Sequence, residues 1–183
     1  MRAFSIKGQS LEKELLIIKD WASKVPLNGI IVEVGCLFGR ITVAFAESCD
    51  KSTNIYCIDT FGTMLNRYPH LGNVGELMDI EVEFKKNTID FNNITMIKVK
   101  NNDYKVIEVD NIDIFFLDAT HKNPNDLLYL MNYYKKIKKG GLLAGHDFHD
   151  EFPDVKANVK LFEKILKQDV TLYPGTSLWS FTI

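Results

Sequence analysis

The sequence lacks the features that mark membrane, secreted or nucleic-acid-coating proteins. No apolar run among its 183 residues approaches the roughly 18 residues that a membrane-spanning helix needs. The N-terminal stretch MRAFSIKGQS has no apolar core of the kind found in signal peptides. Lysine and arginine number 22 against 24 aspartates and glutamates, so no overall basic charge favours nucleic acid. We therefore expect neither a membrane nor a nucleic acid as a partner.

Cysteine is scarce as well, and its spacing excludes two common roles. Cys36, Cys49 and Cys57 form an odd set in which no pair is spaced Cys-x-x-Cys. This pattern argues against a disulfide framework and against a zinc knuckle. We interpret the three as buried, unreactive thiols and expect a cytoplasmic protein.

Short apolar runs alternate with helical periodicity along the whole chain. Strands are predicted over Gly29–Val34, Asn54–Ile58, Ile94–Val99, Ile112–Leu117, Gly141–Ala144, Val170–Tyr173 and Ser177–Ile183. The middle runs are almost continuously apolar, which is typical of parallel strands covered on both faces. An N-terminal helix is predicted at about 10–24. This alternation predicts one three-layer α/β domain over 1–183, with the last two strands forming an antiparallel hairpin at the sheet edge.

The most informative segment follows the first strand. Glu33, Gly35 and Gly39 form the pattern Glu-x-Gly-x-x-x-Gly, in which backbone amides face a ligand over the strand end. Glu33 occupies the place of the first glycine in Gly-x-Gly-x-x-Gly, where a carboxylate disfavours a pyrophosphate and suits an amine. Asp59 ends the second strand and can accept the hydroxyls of a ribose. Together the motifs favour a nucleoside ligand, and S-adenosylmethionine fits them because it has a ribose, an ammonium and a sulfonium.

Two further strands end in acidic residues and histidines. Asp118 and His121 follow one buried strand, and His146 and Asp147 follow the next. These ends face the ligand crevice of a doubly wound sheet, so the side chains should converge beside the cofactor. Asp118 and Asp147 suit Mg²⁺, whereas His146 would also admit Mn²⁺, Fe²⁺ or Zn²⁺. With an ordinary pKa near 6.5, His121 would accept a hydroxyl proton at neutral pH.

At these residues the chain resembles the class I S-adenosylmethionine-dependent methyltransferases. More narrowly, it is similar to small-molecule O-methyltransferases related to the macrocin and catechol enzymes. The resemblance rests on Val32–Arg40, Tyr56–Asp59, Phe116–His121 and Gly140–Asp147, and it runs from about Leu11 to the C-terminus. It implies a Rossmann-like, seven-stranded and mostly parallel sheet of order 3-2-1-4-5-7-6, with strand 7 antiparallel.

The resemblance also implies roles for cofactor-binding residues. Glu33, Gly35 and Gly39 would line the methionine end of the cofactor, and Asp59 would hold its ribose. The adenine would lie near Asn101 or Asn102, which follow the third strand.

For the reaction itself, the resemblance implies a divalent ion, Mg²⁺ or Mn²⁺, held by Asp118, His146 and Asp147. His121 matches the position of the relatives' general base and would act with Asp118. Two departures from the family pattern affect the predicted metal site. His146 replaces a carboxylate residue, and Thr120 stands where this branch of the family commonly has a second carboxylate residue.

The expected function is methylation of a small-molecule hydroxyl, and two alternatives remain open. One is an NAD-dependent oxidoreductase of the same architecture, against which Glu33 argues. The other is a non-catalytic protein that binds an adenosyl ligand. The segment 60–75 is interpreted either as a substrate loop, with Arg67, Tyr68 and His70 as recognition residues, or as a plain surface loop. Family analogy is the sole basis for considering a homodimer.

Overall fold

The computed structural model describes residues 2–100, 103 and 107–183. The helices are α1 (Arg2–Ser5), α2 (Glu12–Ser23), α3 (Arg40–Ala46), α4 (Ile80–Thr88), α5 (Asn125–Tyr133) and α6 (Pro153–Leu166). The strands are β1 (Ile30–Val34), β2 (Asn54–Asp59), β3 (Thr63–Leu65), β4 (Leu77–Asp79), β5 (Ile94–Lys98), β6 (Ile112–Leu117), β7 (Ile137–Gly145), β8 (Thr171–Leu172) and β9 (Trp179–Thr182).

Seven of the strands form one sheet in the order β5-β2-β1-β6-β7-β9-β8. The pairs among β5, β2, β1, β6 and β7 are parallel, whereas β9 runs antiparallel to both β7 and β8. Since β3 and β4 form a separate small sheet, this order is the 3-2-1-4-5-7-6 arrangement expected from the resemblance. The Rossmann-like fold class and the edge hairpin are therefore confirmed.

The side chains of alternate residues in the buried strands pack into two separate hydrophobic cores, one on each face of the sheet. Phe116 packs into the core formed with α1 to α4, while Phe115 packs into the core formed with α5 and α6. Burial on both faces explains why the central strands are apolar throughout. Cys36 and Cys57 are buried, and Cys49 is half-buried.

Three local features differ from the sequence-based expectations. Strand β7 begins at Ile137 rather than Gly141. Ile137 pairs with Ile112, the regular register resumes with Leu142 opposite Ile114, and Gly140, with positive φ, lies in the irregular stretch between them. Strand β8 is shorter than predicted. The segment after β2 contains β3, a 3₁₀ turn at Pro69–Leu71 and then β4. No helix in the described part of the chain combines the length and apolar character needed to cross a membrane.

Backbone hydrogen bonds continue just beyond the strands and hold the site-bearing residues in register. The amide of Gly35 donates to the carbonyl of Ile58 at 2.9 Å, and that of Asp118 donates to Val34 at 2.8 Å. The amide of His146 donates to the carbonyl of Leu117 at 3.1 Å. The carboxyl ends of β1, β2, β6 and β7 therefore meet at one edge of the sheet.

Replacement of Gly145 by alanine should destabilise the fold where β7 meets β9. An added Cβ would lie 2.4 Å from Cζ2 of Trp179 and 2.6 Å from the carbonyl oxygen of Leu117. Overpacking of this kind costs about 1–3 kcal/mol. We expect urea unfolding to show a loss of this size in the free energy of unfolding of the Gly145→Ala variant. The matched control is Gly62→Ala, whose Cβ would have its nearest contact at 4.0 Å, with Oγ1 of Thr60. Equal unfolding free energies for the two variants would contradict the packing argument.

Candidate functional site

A cavity of about 280 Å³ opens at this edge of the sheet. Of the residues singled out from the sequence, it is lined by Glu33, Gly35, Asp59, Asp118 and His121. The cavity therefore joins the end of β1, the end of β2 and the end of β6 in one continuous space.

Other residues predicted for the site lie off the cavity wall. Gly39 is the N-cap of α3 and has a φ of 82°. A Cβ at this position would lie 3.2 Å from side-chain atoms of Phe84 and Thr88, so Gly39 allows a tight turn that packs against α4. His146 and Asp147 lie behind His121. Asn101 and Asn102 are outside the described residues, so the adenine prediction stays a prediction.

Gly35 allows the glycine loop to touch the end of β6. Its φ is +86°, and a Cβ at this position would lie 1.8 Å from the carbonyl oxygen of Asp118. Only glycine tolerates both the left-handed backbone and this close approach.

The carboxylate of Asp59 holds the same loop from the side of β2. Its Oδ2 accepts the amides of Cys36 at 2.7 Å and Leu37 at 3.1 Å. Its Oδ1 accepts the amide of Phe61 at 3.1 Å and the hydroxyl of Thr60 at 3.2 Å. A carboxylate offers about four acceptor positions, so this one is fully engaged by the protein.

Glu33 is a fully buried acid with one unused oxygen. Its Oε2 accepts the Thr42 hydroxyl at 2.5 Å, while Oε1 has no hydrogen-bond partner among the residues that the structure describes. Burial raises the pKa of Glu33 to about 8, although the hydrogen bond from Thr42 acts in the opposite direction. At neutral pH the side chain is therefore mainly a neutral acid. In its ionised form, Oε1 is an acceptor without a donor among the described residues.

Asp118, His121, His146 and Asp147 form a charged cluster at the ends of β6 and β7. Nε2 of His121 lies 3.2 Å from Oδ1 of Asp118 and 2.8 Å from Oδ2 of Asp147. Nδ1 of His146 lies 3.1 Å from Oδ1 of Asp147. His121 and Asp147 both have positive φ, at 56° and 62°. Such strained backbone in non-glycine residues clusters at functional sites.

The ion pairs of the cluster control its protonation. Burial disfavours both imidazolium ions, but the neighbouring carboxylates outweigh it and raise the pKa of His121 to about 10 and that of His146 to about 11. Burial also opposes the charge of Asp147, yet hydrogen bonds from the two histidines hold its pKa well below the usual range. Both histidines are therefore cationic at neutral pH. His121 departs here from the ordinary pKa assumed from the sequence.

A divalent cation would find a suitable donor set in part of this cluster. Ligand-type atoms of Asp118, His121 and Asp147 all lie within 4.8 Å of one another. His146 is not in that set; its Nδ1 lies 3.1 Å from Oδ1 of Asp147 and 3.9 Å from Oδ2 of Asp118, and its Nε2 lies 3.0 Å from Oε2 of Glu14. Two carboxylates and an imidazole fit Mn²⁺, Fe²⁺ or Zn²⁺ better than Mg²⁺, whose sites use oxygen.

Sequence reasoning missed two contributors to the site. The segment 7–10 lines the cavity, and the guanidinium of Arg40 fastens it by donating to the carbonyls of Phe4, Ile6 and Ser10. Glu14 is buried beside His146, and it lies on the otherwise apolar face of α2 with Leu15 and Ile18. A carboxylate on an apolar helix face was the available signal. The segment 60–75, by contrast, reaches the cavity only through Thr60.

Comparisons with solved structures agree on the fold. The O-methyltransferase from Bacillus cereus in complex with SAH is 13% identical, with a TM-score of 0.61 over 96% of this chain and 83% of that one. A methyltransferase from Geobacter sulfurreducens is 16% identical, with a TM-score of 0.63 over 93% of this chain and 77% of that one. The O-methyltransferase NovP is 15% identical, with a TM-score of 0.69 over 93% and 79%. A comparison with curated protein sequences finds no match.

The sequence also matches a family defined by its methyltransferase domain, over residues 32–148. The matched region begins in β1, includes the glycine loop and both acidic strand ends, and stops just past Asp147. It covers more than half of the chain. The chain therefore belongs to this methyltransferase-domain family, which confirms the resemblance to class I S-adenosylmethionine-dependent methyltransferases.

Proposed function

We propose that this protein transfers the methyl group of S-adenosylmethionine to a hydroxyl of a small molecule. The single observation that carries the proposal is the cavity that joins Glu33 and Asp59 to Asp118 and His121. Cofactor-type and acid–base side chains thus face the same space. The Bacillus cereus relative, whose structure holds SAH, supports the choice of donor.

The orphaned oxygen of Glu33 supports recognition of the amino-acid end of the cofactor. A buried polar atom without a partner is costly, and an ammonium group would supply both a donor and a positive charge. The negative form of Glu33 would then be favoured, because a cation compensates for the desolvation that raises its pKa.

Asp59 is proposed to hold the ribose while it supports the glycine loop. Three of its four donors are backbone amides with fixed positions. The fourth is the hydroxyl of Thr60, which can rotate away. A ribose hydroxyl would therefore replace the Thr60 hydroxyl on Oδ1 and leave the glycine loop intact.

At the acceptor end, His121 and Asp118 are proposed as the acid–base pair. Methyl transfer from a sulfonium is an in-line displacement, so the protein must align the acceptor and remove its proton. His121 is cationic while it is paired with Asp118 and Asp147. Weakening of these ion pairs would bring its pKa back toward the ordinary value near 6.5, where the neutral ring accepts a proton.

As an alternative to this metal-free acid–base chemistry, Asp118, His121 and Asp147 are proposed to hold a divalent cation, with Mn²⁺ preferred over Mg²⁺; His121 would then be a ligand and not the base. Such an ion, when bound, lowers the pKa of a coordinated hydroxyl. His146 is proposed to hold Asp147 rather than to be a ligand itself, since both of its ring nitrogens already face carboxylates.

Glu33 should make the protein less stable as the pH rises. Its folded-state pKa of about 8 lies above the ordinary value of 4.5, so the folded state binds the proton more tightly. Between these values, each pH unit should remove up to about 1.4 kcal/mol from the free energy of unfolding. We therefore expect the free energy of unfolding by urea to fall less between pH 5 and pH 8 for Glu33→Gln than for the wild type. An unchanged difference would contradict the raised pKa.

Calorimetric titration with S-adenosylhomocysteine tests the proposed donor. The wild type should bind with micromolar Kd, and Glu33→Gln should weaken binding about tenfold or more, because a charged hydrogen bond to the ammonium is lost. The exposed Asp169→Asn serves as a control and should leave Kd unchanged. Absence of binding by the wild type would refute the proposed donor. Equal affinities of the wild type and Glu33→Gln would refute only the role of Glu33.

Titration with Mn²⁺ alone tests the proposed cation site. Asp118→Asn and Asp147→Asn should each weaken Mn²⁺ binding by about tenfold or more, because each removes a charged ligand. Asp150→Asn, at an exposed carboxylate shortly after β7, is the matched control and should bind as the wild type does. If the wild type does not bind Mn²⁺, the proposed cation site is refuted, and metal-free acid–base catalysis by His121 and Asp118 is the remaining proposal.

A further inference from the structure

We propose that Glu14 is a positioning residue for the charged cluster. Its carboxylate holds the imidazole of His146, and this ring in turn aims the carboxylate of Asp147 at His121. The inference rests on the proposed function in one respect, namely that Asp118, His121 and Asp147 form the acceptor end of the site.

The carboxylate of Glu14 is itself held in a single place. Glu14 is 1% exposed, although it lies on a helix at the edge of the fold. Its Oε2 accepts the amide of Leu11 at 2.7 Å, and its Oε1 accepts the amide of Ser177 at 3.0 Å. These two backbone donors come from opposite ends of the chain, so Glu14 is a fixed point rather than a mobile surface acid.

His146 transmits this position to the cluster through both of its ring nitrogens. Nε2 lies 3.0 Å from Oε2 of Glu14, and Nδ1 lies 3.1 Å from Oδ1 of Asp147. The other oxygen of Asp147 then lies 2.8 Å from Nε2 of His121. Nε2 also lies 3.0 Å from Oγ of Ser177, and both the amide and the hydroxyl of Ser177 donate to Oε1 of Glu14. Glu14 therefore holds the ring that faces Asp147 both directly and through Ser177.

Capping of α2 does not account for this arrangement. A cap needs only the bond from the Leu11 amide, and an exposed glutamate could supply it. Burial of the carboxylate against an imidazole costs desolvation that a cap alone would not require. Orientation of Asp147 through His146 accounts for the buried contact between Glu14 and the imidazole, which capping leaves unexplained.

The decisive experiment compares Glu14→Gln with Glu12→Gln, an exposed glutamate in the first turn of the same helix. The readout is the imidazole ¹H–¹⁵N correlation spectrum at pH 7, which is simple because the chain has only 4 histidines. Glu14→Gln should shift the ring signals of His146 and also of His121, which Glu14 does not contact. His70 and His149 should not move, and Glu12→Gln should match the wild type. Unshifted His121 signals would overturn the proposal.

Binding measurements separate a positioning role from a merely structural one. Loss of a residue that orients a metal ligand typically weakens metal binding about 10–100-fold. Glu14→Gln should weaken Mn²⁺ binding to that extent and leave the Kd for S-adenosylhomocysteine within about twofold of the wild type. Parallel losses for both ligands would indicate general disruption and overturn the proposal.

Two further outcomes remain distinguishable. If the wild type binds no Mn²⁺, the cation part of the proposed function fails, and the His121 signals alone decide the role of Glu14. If Glu14→Gln does not fold, Glu14→Asp replaces it. This variant keeps the charge but withdraws the carboxylate from His146, so it should shift the same two rings. If it leaves them unshifted, the proposal fails.

Discussion

Gly35 passes so close to the backbone of Asp118 that the glycine loop and the end of β6 share one wall of the cavity. A Cβ at Gly35 would lie 1.8 Å from the Asp118 carbonyl oxygen, so any other residue would push the two apart. The amide of Asp118 donates a hydrogen bond to the carbonyl of Val34, the residue directly before Gly35. The spacing between the glycine loop and the end of β6 is therefore set by backbone contact and not by flexible side chains.

The two ends of this cavity solve the burial of charge in opposite ways. Glu33 is fully buried and has no ion pair among the residues that the structure describes, so it keeps its proton and one oxygen stays without a partner there. At the other end, carboxylates and imidazolium rings compensate one another. An ammonium group bound at the first end would supply the charge compensation that ionised Glu33 lacks. A divalent cation bound at the second end would compete with the protons of the imidazolium rings for the same carboxylates.

Local sequence patterns predicted the sheet and its site-bearing ends because these depend on short-range physics. Continuous apolar runs reflect burial on both faces, and Glu33 and Gly35 stand out because their loop has little freedom. The register irregularity of β7 near Gly140 and the short strand and 3₁₀ turn within 60–75 were harder to predict. Both depend on what the neighbouring segment offers for pairing, and the residue types themselves do not record that.

Composition, periodicity and motif spacing were enough for the α/β class, the edge hairpin and the set of residues at the strand ends. They could not say which of these residues touch. Whether His121 carries a proton depends on carboxylates 2.8 and 3.2 Å away, and whether Glu14 matters depends on a histidine from a distant strand. Electrostatic interactions follow distance and burial in space, whereas sequence patterns report only neighbours along the chain. The tertiary structure therefore decided which of these side chains meet, and with that their protonation: Asp118 and Asp147 at His121, and Glu14 of α2 at His146.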